Sequence, residues 1–287
     1  MTHAYLIIAH NEFTLLRKLL NCLDYLYNDI FLHIDKKADI EKLGNIRLKY
    51  AELHIYQEIN VQWGGTSQIE CELRLFEHAI ENSNAEYFHL LSGVDLPLKK
   101  QNDIHEFFEI NRGYEFIHFD TYMPAGDNVL SRVQLYHLFP FNSKKSNYNL
   151  NRYLTWLQRK LLIKRRHSIN FYKGANWCSV TRKFVEMLLE NSAWVSKEFA
   201  YSKCADELYK QTLFVIHKDE FKLYKDTVPN DYHAIMRNID WQRGDPYVWQ
   251  AEDYDELINS DYLFARKFSM ERDEKIVDMI VDGLLNS

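Results

Sequence analysis

The sequence predicts an α/β protein with a Rossmann-like, mostly parallel central sheet that is flanked by helices. Three short and continuous apolar runs, at residues 4–9, 30–34 and 87–91, are typical of strands that are buried on both faces. A segment with apolar residues at helical spacing separates the first two, so the chain opens as a right-handed β-α-β unit. The length of 287 residues suits one large domain, and no repeat, low-complexity tract or linker divides it.

The first half of the chain alternates between predicted helices and strands. After the first strand we predict the helix 13–23, the strand 30–34, a charged helix at 39–50, the strand 53–56, the helix 68–82, the strand 87–91, the helix 101–110 and the strand 115–119. Gly64 and Gly65 permit close backbone approach between two of these elements. The glycine patterns of the phosphate loop and of dinucleotide-binding loops are both absent.

Polar side chains follow the predicted parallel strands. His10 follows the first strand, and Asp35, Asp95 and Asp120 follow later ones. In sheets of this kind ligands bind beyond the carboxyl ends of the strands. A single aspartate at such a position is usually a turn or cap residue, so that role stays open for each. Three of them on one rim favour a ligand site.

The second half contains a pair of acidic residues at a predicted helix start. We predict a tight turn at 173–176, a strand at 177–180, and a helix at 182–191 that Thr181 caps. Asp206 and Glu207 then precede the helix 208–216, and further elements follow at 253–258, 263–268 and 270–285. Carboxylates in a first helical turn are stabilised by the helix dipole, which is one interpretation of the pair. The other is a catalytic base held rigidly at the edge of a cleft.

Charge is distributed unevenly along the chain. Residues 128–185 contain twelve Lys or Arg and no Asp or Glu, so the rest of the chain carries −18 against −6 for the whole. A basic amphipathic helix is predicted within this stretch, at 150–166. It suits either a solvated helix packed on the core by its leucines or a surface that faces an anionic membrane.

Composition and charge narrow the class of protein. The net charge of −6 disfavours a nucleic-acid binder. The four cysteines are dispersed without a C-x-x-C pair, so we expect neither a zinc site nor a disulfide framework. No apolar run reaches the roughly 18–20 residues of a membrane span, and no signal peptide is evident. We therefore expect a cytoplasmic protein that is either free in solution or peripheral at the inner membrane.

Eight stretches, in this order, resemble glycosyltransferase family 14, which comprises the core-2/I-branching β-1,6-N-acetylglucosaminyltransferases and the peptide O-xylosyltransferases. The stretches that carry the resemblance are 4–10, 31–37, 61–67, 87–98, 174–180, 204–214, 236–241 and 263–268. The resemblance implies one GT-A-like domain over 1–287, with a nucleotide-sugar half at 1–125 and an acceptor and catalytic half at 126–287. The short chain has no anchor segment, which suggests a bacterial member.

The resemblance also implies an activity and the residues that perform it. The expected reaction is inverting transfer of a sugar, most simply N-acetylglucosamine, from a UDP-sugar to a glycan hydroxyl, with Glu207 as the general base. Asp35 matches the family's uracil contact, with Ile8 and His10 beside it. Lys267 matches a residue that holds the diphosphate, with Arg237 or Arg266 as the second.

No metal ion or further cofactor is expected, because the family lacks the metal-binding D-x-D of other GT-A enzymes. The chain has one literal match, Asp253-Tyr254-Asp255, but it lies in a predicted helix rather than at a strand end.

The remaining candidate residues are expected to contact the sugar or the acceptor. Aromatic residues make up 15% of the chain, and Trp63, Trp177 and Trp241 are candidates for stacking on sugars, although each could equally pack in the core. The other substrate-side candidates are Gly64, Ser92, Asp95, Asn176 and Asp206, of which Asp206 is the better helix cap. The expected acceptor is a glycan or lipid-linked oligosaccharide. The alternatives are a xylosyl- or glucosyl-transferring relative and a non-catalytic carbohydrate- or nucleotide-binding protein.

Overall fold

The structure, a computed structural model, describes residues 1–139 and 145–285, and for residues 145–148 the backbone alone. The strands are β1 (His3–Ala9), β2 (Asn28–Ile34), β3 (Glu52–Tyr56), β4 (Tyr87–Ser92), β5 (Asp95–Pro97), β6 (Tyr114–Glu115), β7 (Cys178–Thr181), β8 (Lys222–Leu223), β9 (Arg237–Ile239) and β10 (Phe264–Arg266). The predicted acceptor half includes residues 140–144, 286 and 287, which lie outside the described residues.

Helices cover both faces of the sheet. They are α1 (Phe13–Cys22), α2 (Ser67–Asn82), α3 (Gln101–Ile110), α4 (Asp127–Gln134), α5 (Lys145–Lys160), α6 (Arg182–Glu190), α7 (Ser192–Glu198), α8 (Tyr209–Ile216), α9 (Tyr254–Ile258) and α10 (Glu274–Leu285). Short 3-10 turns lie at Ile40–Leu43, Ala205–Glu207, Tyr232–Ile235 and Ala251–Asp253. Within the described ranges, none of the helices combines the length and apolarity that crossing a bilayer requires.

The central sheet has the strand order β3-β2-β1-β4-β7. Its first four strands are parallel and β7 is antiparallel, which confirms the predicted mostly parallel sheet. The register pairs Ala9 with Ile34 and Ile8 with Ser92. The residues that follow β1, β2 and β4 therefore emerge at one edge of the sheet.

A second, three-stranded sheet lies beside this edge. Its order is β5-β10-β9, and its register pairs Arg266 with Asp95. Residues 263–268, which were predicted as a late element, therefore return to the loop that follows β4. β6 and β8 form a separate parallel pair.

The core lies on both faces of the central sheet because successive side chains of a strand point to opposite faces. Tyr5 and Ile7 of β1 pack with α1, α3 and α10, whereas Ala4 and Leu6 pack with α2, α6 and α8. Burial on both faces explains why the strands are continuous apolar runs in the sequence.

Several predicted elements differ from the structure. A charged helix was predicted at 39–50, but the structure contains only the 3-10 turn Ile40–Leu43 there. The turn ends because Gly44, with φ of 67°, changes the direction of the chain. Of the predicted strand 115–119, the structure contains only Glu115, which belongs to β6, and Phe116, which forms an isolated bridge with Ser179. The basic helix is displaced toward the N-terminus, at 145–160 rather than 150–166. The helices α4 and α7 were not predicted.

Candidate functional site

A cleft of about 1380 Å³ opens at the edge of the central sheet where the parallel strands end. Ile8 and His10 at the end of β1, Asp35 after β2 and Ser92 at the end of β4 line it. This is the edge at which parallel sheets bind ligands. The structure thus brings these four predicted residues together.

Asp35 is buried, and its carboxylate orders the loops around it. Oδ1 accepts a hydrogen bond from the backbone N–H of Lys37 at 2.8 Å, and Oδ2 accepts one from Val61 at 3.1 Å. Each carboxylate oxygen has two acceptor sites. Asp35 therefore keeps acceptor capacity toward a ligand in the cleft.

Basic side chains surround His10. Burial lowers the pKa of His10, the Asp35 carboxylate opposes this change, and the charges of Lys267, Lys37 and Arg266 lower the pKa further. We refer to His10, Asp35, Lys37, Arg266 and Lys267 as the strand-end cluster. With its three cations, it can bind an anionic ligand beside a carboxylate.

Arg266 is held in place by two contacts. Its Nη1 donates to Asp95 Oδ1 at 2.6 Å, and its guanidinium lies 4.4 Å from the centre of the Trp177 ring. Asp95 is itself buried, and Oδ2 accepts from the Ser92 backbone N–H. Burial raises the pKa of Asp95 and the charge of Arg266 opposes that change. Asp95 does not line the cleft but fixes the cation that does.

Glu207 lies in the 3-10 turn Ala205–Glu207 and is half-buried. Its Oε2 accepts from Arg132 Nη1 at 2.7 Å and lies 3.6 Å from Lys173 Nζ. Lys173 Nζ also donates to Asp120 Oδ2 at 2.5 Å. We refer to Asp120, Arg132, Lys173 and Glu207 as the Glu207 cluster. All four line the cleft.

Two glycines position the turn that carries Glu207. The backbone N–H of Gly174 donates to the Glu207 carbonyl at 3.0 Å. A Cβ at Gly174 would lie 1.7 Å from the carbonyl oxygen of His118, so a side chain does not fit there. Gly64, with φ of 70°, accepts from the Cys204 N–H at 2.9 Å. Gly64 therefore supports the turn without lining the cleft.

Asp206 lines the cleft from a buried position. Its Oδ2 accepts from Gln68 Nε2 at 3.0 Å. Burial raises the pKa of Asp206 to about 7, and the charges of Glu72 and Glu207 act in the same direction. The prediction that Asp206 caps a helix is wrong, because neither its own turn nor α8 has a side-chain cap.

A buried polar network lies beneath this turn. Glu72 accepts from Lys210 Nζ at 2.6 Å, from the Tyr209 hydroxyl at 2.8 Å and from Asn176 Nδ2 at 2.7 Å. Lys210 also donates to Asn176 Oδ1 at 2.6 Å and to the Asp206 carbonyl at 3.4 Å. The Glu72 and Lys210 side chains have no exposed surface. Their charges are balanced, as burial requires.

Arg237 does not reach the cleft, which corrects its prediction as a ligand-binding cation. It is fully buried, and its guanidinium donates to the carbonyls of Ile235, Leu90 and Cys178. Lys267 does not line the cleft either, although its charge acts on His10. Of the two arginines proposed as the second cation, the structure therefore favours Arg266.

The three candidate tryptophans, Trp63, Trp177 and Trp241, all line the cleft. Trp63 and Trp241 are 64% and 51% exposed, and Trp177 is half-buried against Arg266. The alternative that they pack in the core is wrong for Trp63 and Trp241, whereas Trp177 both lines the cleft and packs against the core. Of the predicted substrate-side residues, Ser92, Asn176 and Asp206 also line the cleft.

Neither Asp253 nor Asp255, the literal D-x-D match, lines the cleft, and Asp253 has a structural role. Asp253 is buried, accepts the Gln250 N–H and pairs with Arg243. Across residues 1–139 and 145–285, no three or more His, Cys, Asp and Glu side chains form a group that could hold a metal ion.

Sequence reasoning gave no role to several residues of the cleft. Lys37, Gln68, Arg132, Lys173 and Tyr232 line it. Lys37 could have been found, because it follows a strand end beside Asp35. Arg132 could not, since nothing in the sequence distinguishes it from the other eleven basic residues of 128–185.

The fold and the cleft define an α/β protein that holds cations and a carboxylate pair at the carboxyl edge of its sheet. The Core-2/I-Branching enzyme family model matches residues 3–258. The chain belongs to this family, so it is a glycosyltransferase, a class that takes a nucleotide-sugar donor and a glycan acceptor. The resemblance to family 14 and the GT-A-like fold are thereby confirmed.

Proposed function

We propose that this glycosyltransferase transfers a sugar, most simply N-acetylglucosamine, from a UDP-sugar to a glycan hydroxyl with inversion at the anomeric carbon. The observation that carries the proposal is that Glu207 and Arg266 line the same cleft. One is a carboxylate able to take a proton. The other is a fixed cation able to hold a diphosphate.

Glu207 acts as the general base. Inverting transfer needs one carboxylate that takes the proton of the acceptor hydroxyl while the hydroxyl oxygen attacks the anomeric carbon. The bonding pair of the broken bond leaves with UDP. Arg132 and Lys173 hold the Glu207 carboxylate at the cleft, which limits its freedom to turn away.

Basic side chains stabilise the departing diphosphate. Arg266 is the principal cation, and Lys37 is a second cation that lines the cleft. Lys267 adds positive charge near the same end, although its side chain does not line the cleft. Fixed positive charge aimed at a leaving group lowers the barrier by the electrostatic effect that a metal ion would otherwise supply. Asp35 accepts a hydrogen bond from the uracil ring, with Ile8 beside the base.

The decisive experiment compares Glu207→Gln with Glu190→Gln, a matched control on an exposed residue of α6 that does not line the cleft. We expect Glu207→Gln to lower transfer by roughly 10²–10⁴-fold, because it removes the base. Its affinity for UDP should stay within about twofold, since Glu207 binds no part of the nucleotide. Full transfer by Glu207→Gln would refute the assignment. UDP binding without any transfer by the unmodified protein would favour the non-catalytic alternative.

The donor sugar and the role of metal are tested in the same assay. A panel of UDP-N-acetylglucosamine, UDP-xylose and UDP-glucose should rank the donors by kcat/KM, and a preference for either of the last two would replace N-acetylglucosamine. We expect transfer to continue at full rate in EDTA. Loss of transfer in EDTA that Mn²⁺ or Mg²⁺ restores would show that basic side chains do not suffice.

We also propose a lipid-linked oligosaccharide as the acceptor and a peripheral contact of residues 150–166 with an anionic inner membrane, from the cytoplasmic side. The support is the exposed apolar side chains on and after α5, which are Leu150, Tyr153, Trp156, Leu161, Leu162 and Ile163. They lie among basic residues, a combination that favours binding to anionic lipid.

Sedimentation with phosphatidylglycerol vesicles tests the contact. Trp156→Ser combined with Leu162→Ser should weaken binding, whereas Ile110→Ser, at an exposed position on α3, should not. Equal binding to neutral phosphatidylcholine vesicles, or none to either, would refute the contact.

A further inference from the structure

One wall of the cleft is a loop that carries an exposed tryptophan. The loop comprises residues 240–247, and the Tyr247 N–H closes it by donating to the Asp240 carbonyl at 2.8 Å. We refer to it as the Trp241 loop. Trp241 lines the cleft and is 51% exposed, so its indole ring presents an apolar face to a ligand in the cleft.

Arg243 lies behind this wall and joins the Trp241 loop to the rest of the fold. Its guanidinium donates from Nε to Asp240, from Nη1 to Asp253 at 2.7 Å and from Nη2 to Glu256 at 3.3 Å. Asp240 belongs to the loop, whereas Asp253 ends a 3-10 turn and Glu256 lies in α9. One planar fork therefore connects the loop to two later elements, although Arg243 itself does not line the cleft.

Two aromatic rings pack against the same guanidinium. It lies 4.3 Å from the centre of the Tyr247 ring and 5.0 Å from the Trp249 ring. Trp249 is fully buried and has its own anchors, because its N–H and its Nε1 donate to the carbonyls of Lys267 and Arg266. Arg243 thus makes a network of charged and aromatic contacts rather than a single exposed ion pair, so we expect it to keep the loop in one conformation.

The Trp241 side chain lies on the side of the cleft that holds the Glu207 cluster. Burial raises the pKa of Tyr232 to about 12, and the charge of Asp120 acts in the same direction. A hydrogen bond from the Trp241 side chain opposes this change, while the charge of Glu207 adds to it. Trp241 and Glu207 therefore both lie near Tyr232, which also lines the cleft.

We propose that Arg243 is a positioning residue for the acceptor, and that the Trp241 loop determines specificity for the acceptor glycan rather than for the nucleotide sugar. The inference rests on the proposed transfer reaction, in which the acceptor hydroxyl lies at Glu207. Arg243 holds the loop, and the loop presents the indole ring of Trp241. The ring packs on the apolar face of a sugar whose hydroxyl lies at Glu207.

The donor side of the cleft is held by other contacts. Arg266 is fixed by Asp95 and by the Trp177 ring, and the carboxylate of Asp35 is fixed by backbone N–H groups of residues 37 and 61. None of these contacts includes the Trp241 loop. Loss of Arg243 should therefore affect the two substrates differently, which a general loss of stability would not do.

Kinetics with the two substrates varied separately test the proposal. The donor is the UDP-sugar that ranks first in the panel above, and the acceptors are p-nitrophenyl glycosides of galactose, glucose, N-acetylglucosamine and N-acetylgalactosamine. We expect Arg243→Met to raise the KM for the best glycoside by about tenfold or more, because a Trp241 ring that must first be ordered binds the sugar less tightly. The KM for the UDP-sugar should stay within about twofold.

A double-mutant cycle shows whether Arg243 acts through Trp241. Trp241→Ala should itself raise the KM for the glycoside by about tenfold or more. Adding Arg243→Met to it should cost no more than about a further twofold, because the ring that Arg243 positions is already absent. Arg243→Lys keeps the charge without the planar fork and should show a smaller rise in the same KM. It replaces Arg243→Met in the comparison if that variant does not fold.

Arg74→Met is the matched control. Arg74 is also an exposed arginine that contacts two carboxylates, those of Glu58 and Glu77, but it does not line the cleft. Its loss should leave both KM values unchanged. A rise in the glycoside KM of Arg74→Met equal to that of Arg243→Met would show that the effect is not specific to the Trp241 loop.

The other outcomes also overturn the proposal. An unchanged glycoside KM in Arg243→Met would remove its role, and equal rises of both KM values would mean that Arg243 supports the whole cleft. Full additivity in the double variant would mean that Arg243 does not act through Trp241. Donor binding with transfer to none of the four glycosides would refute Trp241 as a platform for a sugar ring. Failure of the proposed function would instead appear as absence of UDP-sugar binding.

Discussion

Apart from Lys267, the strand-end cluster lines the same cleft as the Glu207 cluster, but the two clusters are built in different ways. His10, Asp35 and Lys37 follow β1 and β2 directly, so the register of the central sheet sets their positions. The Glu207 cluster comes from four separate segments of the chain, and side-chain contacts hold it together. The first is fixed by backbone geometry and the second by a polar network.

This difference predicts different sensitivities to mutation. Changes at the exposed members of the strand-end cluster, His10 and Lys37, should act locally on ligand affinity, because the sheet beneath them packs on both faces. Changes beneath the Glu207 cluster should affect stability as well, because Glu72 and Lys210 are charged and have no exposed surface.

The largest effect is expected from Lys210→Met. It leaves the Glu72 carboxylate buried without its cation, and breaking such a pair typically costs about 3–5 kcal/mol of folding free energy. Urea unfolding monitored by circular dichroism measures the change. The double variant Glu72→Gln/Lys210→Met should recover much of the loss, since it leaves no unpaired charge. A single variant as stable as the unmodified protein would show that the network does not support the turn.

The same difference explains what could be predicted from the sequence. The parallel strands could be predicted because burial on both faces leaves a continuous apolar run in the sequence. The residues at the carboxyl edge of the sheet could then be predicted from the positions at which those runs end. The pairing of Arg266 with Asp95 could not be found, because it depends on β10 returning beside β5, far apart in the chain. Glu207 was found through the family resemblance, whereas its partner Arg132 lies on a helix that was not predicted.

The second-largest effect is the change in folding stability with pH that Asp206 causes. The pKa of Asp206 is raised to about 7 by burial and by the charges of Glu72 and Glu207, with Lys210 opposing. The native state thus holds a proton that the unfolded chain releases near its ordinary value of 3.8. The contribution of this group to stability therefore falls as the pH rises toward 7 and is constant above it. Between pH 5 and 8 the loss amounts to about 2–3 kcal/mol.

Asp206→Asn should remove this loss. The stability of the variant relative to the unmodified protein should increase from pH 5 to pH 8, as measured by urea unfolding at each pH. Asp219→Asn, at an exposed position, is the matched control and should follow the unmodified protein. If the Asp206→Asn curve runs parallel to that of the unmodified protein, the carboxyl group is not protonated in the native state.

The third effect tests the strand-end cluster. Arg266→Gln should weaken UDP binding by roughly 10- to 100-fold, since a charged hydrogen-bonded contact is worth about 1.5–3 kcal/mol. Calorimetric titration with UDP measures it. Arg112→Gln, which removes an exposed arginine paired with Glu86 and Glu109, should leave UDP affinity unchanged. Unchanged UDP affinity in Arg266→Gln would move the diphosphate site elsewhere in the cleft.

The smallest effect is expected from Lys37→Gln. Lys37 lines the cleft but is exposed, and its Nζ donates to the Val61 carbonyl at 3.2 Å. Exposed charge pairs contribute about 0.2–1 kcal/mol, so UDP affinity should fall about two- to fivefold. The difference should vanish in high salt, because exposed charges are screened. Lys36→Gln is the sharpest control, since the adjacent lysine is equally exposed and does not line the cleft. Equal losses in the two variants would mean that long-range charge, rather than a contact at this cluster, attracts the nucleotide.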